Sequence, residues 1–156
     1  MTKHSVQHGS FTIARKLDAP VALVFRAFAD RDHKARWFKG PPQCKEQIRE
    51  HDFRVGGRDR LRGEWSAGSH PWTISDFTAE YRDIVENARI VYVYEMTMDG
   101  TKISVSLATI TFAAAGNGTR LTITEQGAFL DGYDDAGSRE EGTRSLVDTL
   151  AESLKA

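Results

Sequence analysis

Hydrophobic and polar residues alternate from residue 9 to 17, with Phe11, Ile13, Arg15 and Leu17 on one side and Ser10, Thr12, Ala14 and Lys16 on the other. A period of two is that of a half-buried strand. The period then changes. Asp18 precedes Ala19-Pro20, a capping side chain followed by an early-turn proline, and Val21, Val24, Phe25 and Phe28 recur at helical spacing. Asp30 offers a second cap, and Ala35, Trp37 and Phe38 close a short second helix before Gly40-Pro41-Pro42, where proline blocks continuation. From Cys44 to Met98 the pattern predicts strands over 44–53, 58–65, 74–86 and 89–98, separated by Gly56-Gly57 and by a loop at Gly68–Pro71. In the last of these, Ile90, Tyr92, Tyr94 and Met96 share one face and Val91 and Val93 the other, so the strand is expected near the middle of a sheet. Asp99-Gly100 and Gly116-Asn117-Gly118 are hairpin signals ahead of strands over 102–114 and 119–129. An acidic, glycine-containing loop over 131–138 leads to a closing helix over 140–154, where Leu146, Val147, Leu150 and Leu154 form one stripe.

One strand, two short helices, a run of antiparallel strands and a long helix specify an α+β fold. The helix stripe and one face of the sheet both need cover, and a curved antiparallel sheet of six or seven strands wrapped around the terminal helix supplies it. Where the helix stands away from the concave face, the gap becomes an apolar cavity, the usual ground for a small hydrophobic ligand.

Composition narrows the alternatives. At 156 residues and 40% hydrophobic, the chain fits one domain over 1–156, with residues 1–8 outside any pattern and expected to be loose. A net charge of −1 gives no bulk attraction to nucleic acid or to anionic lipid. No apolar run approaches the roughly 18 residues of a membrane span, and the polar start is not a signal peptide, so a cytoplasmic location is expected. The single cysteine, Cys44, excludes an internal disulfide framework. Charge is uneven: residues 31–65 hold ten Lys/Arg against six Asp/Glu, and residues 125–156 hold three against eight. Solvated faces explain this most simply; an anion-binding face, and attraction between the two regions, are the sharper readings.

Catalytic and metal signatures are sparse. His4, His8, His33, His51 and His70 never form the close pairs of zinc sites, and the acidic run from Asp131 has Gly142 where a calcium loop needs a bidentate Glu. Neither a nucleophile elbow nor a phosphate-binding loop occurs, and no cofactor is expected. Cys44, in a strand without an identifiable base, reads as an inert thiol. General acid–base chemistry could use Glu64, His70, Tyr81, Tyr92, Tyr94 or Glu125 if any projects into the cavity. Such residues more often serve as sheet-surface or hydrogen-bonding groups.

Several segments together resemble a known family: Arg15–Pro20 leading to Val24–Phe28, Trp37-Phe38 before Gly40-Pro41, Asp52–Arg58, Tyr81–Glu86, Gly118–Thr124, and the leucine-bearing last helix. In this order, over about residues 9 to 155, they resemble the activator-of-Hsp90-ATPase homologue (AHSA1-like) group of the START/Bet v 1 superfamily. The resemblance implies a helix-grip fold. One departure stands out: many relatives carry Gly-Trp near the start of the last helix, and this chain has Gly142-Thr143. The cavity is then wider, or Trp65 or Trp72 fills it.

The leading expectation is therefore a binding module that encloses a hydrophobic or aromatic small molecule. Its site residues are taken as Phe28, Trp37, Phe38, Trp65, Tyr81, Tyr92, Tyr94, Leu121, Ile123, Leu146, Val147 and Leu150. The resemblance also implies two alternatives, a polyketide cyclase- or hydrolase-like enzyme and a partner of an Hsp90-type chaperone. Sheet edges that need cover are compatible with a homodimer.

Overall fold

The alternating segments pair into one antiparallel sheet of seven strands in the order β1-β7-β6-β5-β4-β3-β2. The computed structural model describes residues 3–68 and 71–155. Along the chain run β1 (Val6–Leu17), α1 (Val21–Ala29), α2 (Arg31–Trp37), β2 (Cys44–His51), β3 (Arg58–Trp65), β4 (Ile74–Val85), β5 (Arg89–Met98), β6 (Thr101–Ala115), β7 (Gly118–Leu130) and α3 (Ala136–Ser153). This is the expected α+β helix-grip arrangement, and β5, apolar on both faces, is the middle strand.

Three local expectations need correction. Strand β1 starts at Val6, which pairs with Leu130, and the Ser5 backbone N–H donates to Asp131 at 2.8 Å, so the chain is held from Ser5 onward. Asp18 does not cap α1: Pro20 occupies that position in extended conformation with no side-chain cap. Asp30 does cap α2, accepting from the His33 N–H at 2.9 Å. Helix α3 begins at Ala136, four residues earlier than its apolar stripe suggests, and is capped by Asp135, which accepts from the Ser138 N–H at 2.8 Å. Its first turns carry Gly137, Ser138 and Arg139, which contribute no apolar period. Gly9 on β1 lets this end approach the sheet, because a Cβ there would lie 2.6 Å from that of Ala136. The basic 31–65 and acidic 125–156 regions form no ion pair with each other among the described residues; they are matched locally, as in Arg49–Glu46 and Arg144–Glu140.

The core sits between the concave face and the helices. Phe25 and Phe28 of α1 meet Phe112 edge-on, with ring centroids 5.3 and 5.4 Å apart. Val147 and Leu150, in the second half of α3, are buried in the same cluster with Leu17, Ile90 and Leu121. Helix α2 is fixed differently. The Trp37 indole N–H donates to the Ala27 carbonyl at 2.7 Å, and the Lys34 ammonium is buried against the carboxylate of Asp59 on β3. Tyr81 on β4 donates to the same carboxylate at 2.9 Å. His51 donates from Nε2 to the Ala29 carbonyl at 3.0 Å and places Nδ1 3.6 Å from Asp59.

Burial alone would push the Asp59 carboxyl up, but the Lys34 ammonium, its hydrogen bond and the nearby His51 ring outweigh it and hold the group well below the usual carboxylate range. A depressed folded-state pKa stabilises the fold fully above the unfolded-state value of about 3.9 and loses that contribution as pH falls below it. Asp59→Asn strands the buried Lys34 charge. Urea unfolding at pH 7 is expected to show a loss of about 3–5 kcal/mol and a flatter acid limb than the parent; unchanged stability would contradict the anchoring role.

Candidate functional site

Beyond Ala136, which sits against Gly9 of β1, only the second half of α3 presents apolar side chains to the sheet. Its first half presents Ser138, Arg139, Gly142 and Thr143, and these small or polar groups stand off the concave face and leave a cavity of about 760 Å³. Phe38, at the end of α2, forms part of one wall; Leu61, Trp65, Phe77, Tyr92, Tyr94 and Met96 project from the sheet; Leu146 and Val147 close the α3 side. The aromatic wall is continuous: Phe38 meets Phe77 at 4.9 Å, Phe77 meets Tyr94 at 5.0 Å, and Tyr92 lies 5.8 Å from Tyr94.

Of the residues expected at the site, Phe28, Trp37, Phe38, Trp65, Tyr92, Tyr94, Ile123, Leu146 and Val147 line this cavity. Tyr81, Leu121 and Leu150 do not; they are shut into the adjoining core, each no more than 1% exposed. Tyr81 has the same alternation phase as cavity residues, but its hydroxyl is drawn to Asp59, behind the cavity. Leu121 pairs in register with Phe112, and Leu150 belongs to the sealed half of α3.

The acid–base candidates also divide. Glu64 is exposed and accepts from Gln47 at 2.8 Å, and His70 lies outside the described residues. Tyr92, Tyr94 and Glu125 all face the cavity. Glu125 Oε1 accepts a hydrogen bond from the Tyr94 hydroxyl. That hydroxyl accepts from Arg139 Nη1 at 3.0 Å, while Arg139 Nη2 donates to Ser104 at 2.8 Å and to Asp134 at 2.9 Å. Burial pushes the Glu125 carboxyl up, opposed by the Tyr94 hydrogen bond and by Arg139. Burial also pushes the Tyr92 and Tyr94 phenols up, with Glu125 adding to both, so both stay neutral donors.

Sequence reading missed Arg139, Lys34 and Asp59. Arg139 had a usable signal, since it lies seven residues before Leu146 and eleven before Leu150 and so shares their face. Starting the helix at residue 140 hid it. Lys34 and Asp59 meet only through the tertiary fold, and no local pattern announces them. Cys44 is half-buried on the cavity wall, and burial pushes its thiol up despite a hydrogen bond with Ser75. At the Gly142-Thr143 departure, a Cβ on Gly142 would meet nothing within 4 Å, and Thr143 donates to its own helix at Arg139 O. Trp65 lines the cavity without filling it, while Trp72 packs edge-on against Tyr133 at 5.7 Å, outside the lining.

Among the described residues, no group of three or more His, Cys, Asp or Glu could hold a metal ion, and no helix is long and apolar enough to cross a membrane.

Solved structures with the same architecture include an uncharacterized protein from Rhizobium leguminosarum, 40% identical over 99% of both chains with a TM-score of 0.89. A protein from Rhizobium loti is 42% identical, over 96% of this chain and 99% of its own, with a TM-score of 0.82. An AHSA1-like protein from Aeromonas hydrophila shares the fold at 19% identity and a TM-score of 0.69, over 94% of this chain and 92% of its own. No curated protein matches the chain. The family model described as activator of Hsp90 ATPase homolog 1-like protein matches residues 18–155, from the entry to α1 through the end of α3, and the chain belongs to that family.

Proposed function

We propose that the protein binds a hydrophobic or aromatic small molecule in the cavity beneath the first half of α3. The observation that carries this reading is a space of about 760 Å³, walled by aromatic and aliphatic side chains with charged groups gathered at particular points. That volume lies within the range of about 300–1,000 Å³ usual for small-molecule sites. Burying about 200 Å² of apolar ligand surface would supply roughly 5 kcal/mol before the costs of association. The helix-grip fold and family membership support the same reading. A further solved structure of the same fold, at 17% identity and a TM-score of 0.67, is described as a protein in the dynemicin biosynthetic locus.

The neutral fluorescent probe N-phenyl-1-naphthylamine tests the proposal. Its emission is expected to rise and shift to the blue on addition of the protein. Gly142→Trp places an indole in open space within the cavity and is expected to weaken probe binding about tenfold or more, since a site filled by protein offers the probe little apolar area. Equal probe binding by the Trp variant, with its fold intact by circular dichroism, would contradict the location.

Cys44 gives a second readout, as the chain's single thiol. Alkylation of Cys44 is expected to slow in proportion to probe occupancy. A rate indifferent to saturating probe would place the probe elsewhere.

A further inference from the structure

Two polar atoms on the cavity wall have no hydrogen-bond partner among the described residues: the Tyr92 hydroxyl and Glu125 Oε2. Neither is among the buried polar atoms sealed away without a partner, so both remain open to the cavity. Strand register sets their spacing. Tyr92 pairs with Ala108 on β6, and Ala108 pairs with Glu125 on β7, so two strand spacings, about 10 Å between backbones, separate them. Only the buried methyl of Ala108 lies between them on the sheet. A hydrogen-bond donor and an acceptor thus flank a gap bordered by Tyr94, whose side chain reaches across β6 to Glu125.

The acceptor is held in place. Its other oxygen takes the Tyr94 hydrogen bond, Tyr94 is fixed by Arg139, and Arg139 is fixed by Ser104 and Asp134. Charge at the wall argues against an ionic ligand. Arg139 already lies 5.7 Å from the Tyr94 ring and Lys34 4.7 Å over the Phe38 ring, so a ligand cation would meet two fixed positive groups at the aromatic faces it would seek. A ligand anion would face Glu125 and would compete with Asp134 for Arg139.

We propose that Tyr92 and Glu125 make the cavity an enolisation site for an apolar ketone. Glu125 Oε2 takes a proton from the carbon beside the carbonyl. The electron pair of that C–H bond forms the carbon–carbon double bond of the enolate, the carbonyl π pair moves onto oxygen, and the Tyr92 hydroxyl stabilises that oxygen by hydrogen bonding. Return of the proton from Glu125 to carbon restores the ketone and the carboxylate, so no oxidant or cofactor is consumed. The burial that strengthens Glu125 as a base and keeps Tyr92 protonated serves both roles. The proposal rests on the cavity being a ligand site, and the two are tested apart.

The probe is 2-tetralone in D₂O, with binding measured by calorimetry and loss of its α-proton signals followed by NMR. The protein is expected to accelerate exchange above the buffer rate, and Glu125→Gln to lower the protein-dependent rate about 100-fold with binding changed less than threefold. Tyr92→Phe is expected to lower it about tenfold. The rate should rise with pH through a midpoint above the ordinary carboxylate range, as Glu125 ionises, and that limb should vanish in the Gln variant. Thermal melts of both variants check that the fold is retained. Binding of 2-tetralone without accelerated exchange, or acceleration that survives Glu125→Gln, overturns the proposal. So does absence of 2-tetralone binding while N-phenyl-1-naphthylamine still binds; if neither binds, the cavity reading falls and this proposal with it.

Discussion

Two buried polar anchorages keep this molecule hollow. Apolar collapse would bring the helices down onto the concave face, since close packing favours contact over void. Lys34 holds α2 to Asp59 on β3, and Arg139 holds the start of α3 to Tyr94 and Ser104. Each charged group needs its partner, because a charge left alone in the interior costs far more than the contacts that collapse would add. The partners fix a distance between helix and sheet, and the cavity occupies what remains. Hydrophobic packing does the opposite work at the other end of α3, where Val147 and Leu150 are almost fully enclosed.

This division between a closed and an open end organises the chemistry. At the closed end Tyr81 turns its hydroxyl to Asp59 and contributes nothing to the cavity lining. At the open end the network is incomplete: Arg139, Tyr94 and one oxygen of Glu125 satisfy each other, and the second oxygen and the Tyr92 hydroxyl remain. Incomplete polar networks beside an apolar hollow are where recognition or proton transfer can be built at little cost to the fold.

Much of the architecture was legible from periodicity. The strand over residues 89–98 was placed at the sheet centre because both faces are apolar, and β5 occupies that place. Boundaries failed where polar residues do structural work. The α3 start was read late because Arg139 and its neighbours carry no apolar period, and that same polarity opens the cavity. Site residues were legible insofar as alternation reports a face: Tyr92, Tyr94 and Ile123 lie on the concave side as their phase implies. Alternation does not report depth along the face, so Tyr81, Leu121 and Leu150 could not be separated from the lining. Partnerships across distant sequence, such as Lys34 with Asp59, leave no local trace.

On the proposed reading, the space beneath the first half of α3 receives a small apolar molecule. A crystal structure of the protein grown with a neutral bicyclic aromatic ketone tests it most directly. Ligand density is expected against Tyr92, Tyr94 and Phe77, with its oxygen toward the Tyr92 hydroxyl and the helix still held by Arg139. Side chains closing that space, or the molecule settled on another surface while the cavity stays empty, would contradict it.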